Sequence, residues 1–332
     1  MSNQSDYQAK IEAEKTRFAA DLDVHALPEI FHYWSHNYVR PMLEEVGFNH
    51  PDELFAKFLH ESSDRSHVTA APVFLSIGSG NCDTEVRVAQ RLLTRGLSSF
   101  KIECLDLSPV MLARGRDLAL SEGVCGHLSF TEGDFNTWKA NRIYDGVMAN
   151  QSLHHVLHLE HLFDQIKSSL APSAYFVTSD MIGRNGHQRW PDALERVQQF
   201  WSELPMDYRQ NLLLNRYEEI YENWDCSDEG FEGIRAQDVL PLLLERFKFY
   251  VFAAFGNVVD PFVDRCFGHH FDAKGKWDRR FIDRVHEVDE QGFCNGTLTP
   301  THMMAVMTVG EPPERRYARG LSPEACVRRV GS

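Results

Sequence analysis

Between Val73 and Asp180 the chain alternates short apolar runs with segments of helical periodicity, and this alternation restricts the fold more than any other feature. VFLSI is followed by TEVRVAQRLLTRG, KIECLDL by PVMLARGRDLALSEG, and LSFTEGD and YDGVMAN by LEHLFDQIKSSLAP, before AYFVTSD closes the series. Apolar runs of this length between helical stretches predict strands buried on both faces and joined in parallel by crossover helices. KFYVFAAF and THMMAVMTV add two strands, so the expectation is an α/β fold with a doubly wound, mostly parallel, seven-stranded sheet. Its ligand belongs at the carboxyl ends of the strands.

The flanking segments divide the rest. Residues 1–70 predict an N-terminal helical cap, with Phe18, Leu22, Leu27, Ile30, Phe31 and Tyr38 recurring every three or four positions and residues 61–72 as a polar connector. Residues 71–182 form the core. Residues 183–234 are too long for a plain loop and predict a helical insertion capping the substrate. Residues 235–310 complete the sheet around a second insertion, and 311–332 read as a surface tail.

Charge narrows the partners. Lys plus Arg total 34 against 48 Asp plus Glu, a net −14 at pH 7, which argues against nucleic acid or an anionic membrane. A small-molecule partner is expected, for a monomer or small homo-oligomer. No apolar run approaches the roughly 20 residues needed to cross a bilayer, and the first residues lack a signal-peptide pattern, so the expected location is cytoplasmic. Seven scattered cysteines without CxxC predict reduced thiols, and 16 histidines without HExxH predict no metal.

Three strand ends carry the binding chemistry. Gly78-Ser79-Gly80 sits where a strand turns into a helix, letting backbone approach a ligand at free N–H groups. Asp106 closes the next strand, where its carboxylate can accept from two ribose hydroxyls, or else cap the helix that begins at Pro109 together with Ser108. Asp134 can accept from an adenine amino group while Phe135 lies against the base. Together they outline a site for adenosine.

At these residues the chain resembles the class I S-adenosylmethionine-dependent methyltransferases, through VFLSIGSGN, ECLDLSPVMLARGR, EGDF, YDGVMANQSLHHV and LAPSAYFVTSD in that order. The resemblance is clear over residues 71–180 and looser to Val309. It implies a Rossmann-like core and S-adenosyl-L-methionine as cofactor, with Gly78, Ser79 and Gly80 at its methionine part, Asp106 at the ribose and Asp134 and Phe135 at the adenine. Leu107 and Asn150 flank the same strand ends. Ser76 stands where the family often has an acid, Cys82 where a third glycine is usual, and Ser173-Ala174 replaces a glycine pair. An NAD(P)-binding oxidoreductase is the alternative for the first turn, but GSGNCD lacks the G-x-G-x-x-G order.

His154 and His155 follow the fourth strand and are the candidate bases for an acceptor that must lose a proton, with His155 preferred. Tyr33, Trp34, His36 and Arg40 in the cap, and Asp180, Arg184, His187, Arg189 and Trp190 after the fifth strand, form the candidate acceptor pocket. Trp34 and Trp190 read equally as core, and His269 and His270 either line the same mouth or decorate an insertion. The expected activity is methyl transfer to O, N or S of a small polar metabolite. A protein-directed methyltransferase and a non-catalytic cofactor-binding regulator are the other readings.

Overall fold

The computed structural model describes residues 26–66, 71–228 and 230–328, together with residues 7, 10–12, 15 and 16. Phe18, Leu22 and residues 67–70 of the expected cap and connector lie outside the described residues.

The strands are β1 (Val73–Ile77), β2 (Lys101–Asp106), β3 (Leu128–Glu132), β4 (Gly146–Asn150), β5 (Phe176–Met181), β6 (Gln210–Asn211), β7 (Arg216–Tyr217), β8 (Lys248–Phe255), β9 (His302–Thr308) and β10 (Arg316–Tyr317). Eight of them form one sheet in the order β10-β8-β9-β5-β4-β1-β2-β3, while β6 and β7 pair as a separate ribbon. Strands β1 to β5 run parallel, and β9 is antiparallel to both β5 and β8. The order reverses between β1 and β4, so a crevice opens there beyond the strand ends.

Alternate side chains along each strand feed two cores. Phe74, Cys104, Met148, Val177 and Val251 join one face with the N-terminal helices, Asp83–Thr94 and Pro109–Ser121. Leu75, Leu105, Val147, Phe176 and Phe252 join the other with Leu159–Ser169 and Ala236–Arg246. This two-sided burial is what the unbroken apolar strand sequences require.

Three expectations are corrected. The helix Pro51–Ser66 runs through the first half of the expected connector. The reason is Ser62, fully buried, whose hydroxyl donates to the Asp145 carbonyl at 2.6 Å and accepts from the Tyr175 amide at 2.9 Å. This part of the expected cap is thus a layer of the core. The tail is not a surface peptide, because Arg316–Tyr317 pairs in parallel with β8 and Ala318 and Cys326 are buried. That edge strand makes the count eight rather than seven. Within 183–234, the helix Pro191–Glu203 is followed by the β6–β7 ribbon, so the insertion is only partly helical.

Candidate functional site

The loops after β1 and β4 meet at the switch point. A Cβ on Gly78, which has φ +67°, would lie 2.4 Å from Ser152 Cβ, and Ser152 Oγ donates to the Ile77 carbonyl at 2.7 Å. Cys82, Gln151 and His187 also hold positive φ of 58°, 51° and 56°. Non-glycine residues in that region cost about 1–3 kcal/mol each and concentrate at functional sites. Here they fall after β1, β4 and β5.

Asp106 ties the first two strand ends together. Its Oδ2 accepts from the Gly80 amide and its Oδ1 from the Ser108 amide, both at 2.8 Å, while Ser108 Oγ accepts from Met111 N at 3.3 Å. Ser108 is thus the N-cap of the helix Pro109–Ser121, while Asp106 holds the amide of that cap residue. Burial pushes the Asp106 carboxyl up, opposed by these amides and by the charge of His155. Leu107 beside it is half-buried. Asp134 accepts from the Asn136 amide at 2.9 Å and from the Tyr7 hydroxyl at 2.7 Å, and Tyr7 stacks on His158. Phe135 packs half-buried against the second core, and Asn150 Nδ2 donates to Thr84 Oγ1 at 3.1 Å.

The glycine turn has unmet polar capacity. Ser79 Oγ, Asn81 Oδ1 and Glu85 Oε2 are buried without a protein partner. Buried polar atoms are ordinarily bonded, so such a group at one turn fits a polar ligand there. Glu85 itself was not legible as a site residue. It lies on Asp83–Thr94 and accepts from Ser76 Oγ at 2.6 Å, bringing a carboxylate to the strand end where Ser76 stands. An ammonium and two ribose hydroxyls match acceptors of this kind.

A second cluster gathers beyond β4 and β5. Asp180 is fully buried and accepts from the amides of Ser152, Leu153, His154 and Met181. Its Oδ1 lies 2.6 Å from His154 Nδ1. Glu232 faces three imidazoles, with Oε1 at 3.4 Å from His154 Nε2 and 2.7 Å from His187 Nε2, and Oε2 at 3.7 Å from His155 Nε2. Burial alone would lower His154, but the charge and hydrogen bond of Asp180, then those of Glu232, push it up to about 10. Burial holds His187 below its ordinary value, whereas Glu232 is held well below the carboxylate range because its three histidines outweigh burial. Sequence spacing gave no hint of Glu232. Its loop is set against His187 by Gly233, at φ +66°, where a Cβ would lie 3.0 Å from His187 Cε1.

The candidate acceptor residues do not converge. Asp180 is corrected from a pocket residue to a buried clamp on His154, since its oxygens are filled by the chain. Trp34 is corrected to core: it is 2% exposed, and its indole N–H donates to His286 Nδ1 at 3.3 Å. Tyr33 donates to Asp283, and Arg40 pairs with Glu44 at the exposed surface. Arg189 is buried on Asp260 Oδ2 at 2.6 Å and on the carbonyls of Asn257 and His187. Trp190 lies between the guanidiniums of Arg184 and Arg328. His36 and His269 are exposed, and His270 bonds the Gln210 carbonyl in the insertion. Of these candidates, His187 and Asp180 lie with His154 and His155.

Residues 74–173 match a family model described as a methyltransferase domain. The match covers the same strands and turns as the resemblance read from the sequence. A comparison with curated proteins gives no match to this chain. Solved structures similar to it include a geranyl diphosphate C-methyltransferase from Streptomyces coelicolor A3(2), bound to Mg2+, geranyl diphosphate and S-adenosyl-L-homocysteine. It is 12% identical, with 91% of this chain and 98% of that one covered at a TM-score of 0.46. The O-methyltransferase of a trans-AT polyketide synthase multienzyme of Brevibacillus brevis, in complex with S-adenosyl-L-homocysteine, is 11% identical over 92% and 88% at 0.46. At these values the likenesses assign no activity or substrate to this chain. No described helix is long and apolar enough to cross a membrane.

Proposed function

We propose that the domain binds S-adenosylmethionine across the ends of β1, β2 and β3 and transfers its methyl group to a low-molecular-weight acceptor, with His155 receiving the acceptor's proton. One observation carries this reading: His155 follows β4 at the ligand end of the sheet, and its Nε2 lies 3.7 Å from Glu232 Oε2. The cofactor supplies an already activated methyl group when bound. The chain supplies position and proton transfer.

Asp106 holds the glycine turn closed and offers its remaining lone pairs to the ribose. His154 is fixed by Asp180 at one nitrogen and faces Glu232 with the other, so it acts as a positioning residue. His187 donates to Glu232 and fixes that carboxylate. His155 receives the proton, and Glu232, 3.7 Å from its Nε2, balances the positive charge formed on it. The acidic surface favours a small acceptor over nucleic acid.

Incubation with labelled S-adenosylmethionine and a fractionated metabolite extract tests this. A small molecule heavier by about 14 Da, one CH2 unit, is expected. Label appearing only in protein favours a protein-directed enzyme, and cofactor binding without any product favours a regulator.

A further inference from the structure

We propose that His154 Nε2, His155 Nε2 and the Glu232 carboxylate form a binding site for one divalent transition-metal ion of the zinc class. One ligand atom from each of the three residues lies within 4.8 Å of the others. The two histidine-to-carboxylate separations are 3.4 and 3.7 Å. Both are longer than well-formed hydrogen bonds of about 2.7–3.2 Å. Ligands at about 2.0–2.1 Å from a tetrahedral zinc ion stand about 3.3 Å apart, so these atoms have the spacing of groups that share an ion.

The surroundings have the second layer that such sites require. A metal-bound imidazole normally donates its other N–H to a carboxylate, and a ligating carboxylate is itself hydrogen-bonded. Here Asp180 Oδ1 sits 2.6 Å from His154 Nδ1, and His187 Nε2 sits 2.7 Å from Glu232 Oε1. Asp180 is in turn fixed by the amides of the Leu153–His155 turn, so the ring orientation is set by the fold. The carboxylates of Asp180 and Glu232, one at each nitrogen of His154, also favour a dication.

Two histidines and one glutamate leave a fourth position open, the composition of catalytic zinc rather than structural zinc. The use of that position rests on the methyl-transfer reading: with the ion bound His155 is a ligand and no longer the proton acceptor, and an acceptor hydroxyl or amine held there loses its proton to water more easily. The existence of the site does not rest on it.

The test is titration of tag-free, chelator-stripped full-length protein with ZnCl2 by calorimetry and with CoCl2 by visible absorption. One equivalent of each is expected, with the intense bands of four-coordinate cobalt. His155→Gln and Glu232→Gln should weaken binding by at least about a hundredfold and Asp180→Asn by about 10–100-fold, while His127→Gln leaves it unchanged. Absence of saturable binding to the unaltered protein, or affinity that survives both ligand substitutions, overturns the site. Protein that takes up no ion yet methylates its acceptor overturns the site alone; protein that binds the ion but transfers no methyl group overturns the methyl-transfer reading alone.

Discussion

The Tyr7 hydroxyl donates to Asp134 Oδ2 at 2.7 Å, joining two residues 127 positions apart at the strand end where the adenine amino group is expected. Lys15 reinforces the contact by pairing with Glu132 at 3.7 Å. Tyr7 and the adenine thus compete for one carboxylate. A hydrogen bond to a charged group contributes about 1.5–3 kcal/mol, so Tyr7→Phe should tighten S-adenosylhomocysteine binding by roughly tenfold or more. Calorimetry showing equal or weaker binding would mean that Tyr7 keeps its place when the cofactor enters.

Asp180 holds the turn that carries both candidate histidines. Removing one partner of a buried ion pair typically costs about 3–5 kcal/mol. Asp180→Asn should therefore lower the unfolding free energy by about 3 kcal/mol, read as a shift in denaturant midpoint. A change under about 1 kcal/mol would contradict the clamp.

Glu85 sets a pH dependence. Burial pushes its carboxyl up from 4.5 to about 7, against the opposing hydrogen bond from Ser76. The folded state then holds this proton more tightly than the unfolded one. Its stabilising contribution is complete below about pH 4.5 and is lost as pH rises through about 7, on the order of 3 kcal/mol in all. Glu85→Gln should remove that slope. Unfolding curves of the two proteins that stay parallel from pH 5 to 8 would refute the assignment.

The sheet and the turns at Gly78, Asp106 and Asp134 were legible because they are local: each lies at or just beyond the end of a strand, and a few neighbouring residues suffice to mark it. Glu232 and Tyr7 reach the site from elements remote in sequence, and neither belongs to a periodic pattern. The glycine beside Glu232 was the one available signal. Asp180 was placed correctly at the strand end but misread in role, since sequence shows a carboxylate without showing the four amides that fill it. The eighth strand escaped notice because two residues are too short to show alternation.

Gly78 reports on the approach of the two loops. Alanine there would meet Ser152 at 2.4 Å in a backbone region that side chains rarely adopt. The substitution should cost about 1–3 kcal/mol of stability and reduce cofactor binding in the fraction that folds. A fully stable Gly78→Ala protein with undiminished affinity would show that the turn does not need this geometry.

Calorimetric titration of the unaltered protein with S-adenosylhomocysteine, and separately with NAD+, tests the identity of the cofactor most directly. A methyltransferase built on Gly80, Asp106 and Asp134 binds one equivalent of the first and does not saturate with the second. Saturable NAD+ binding with no heat from S-adenosylhomocysteine would contradict it.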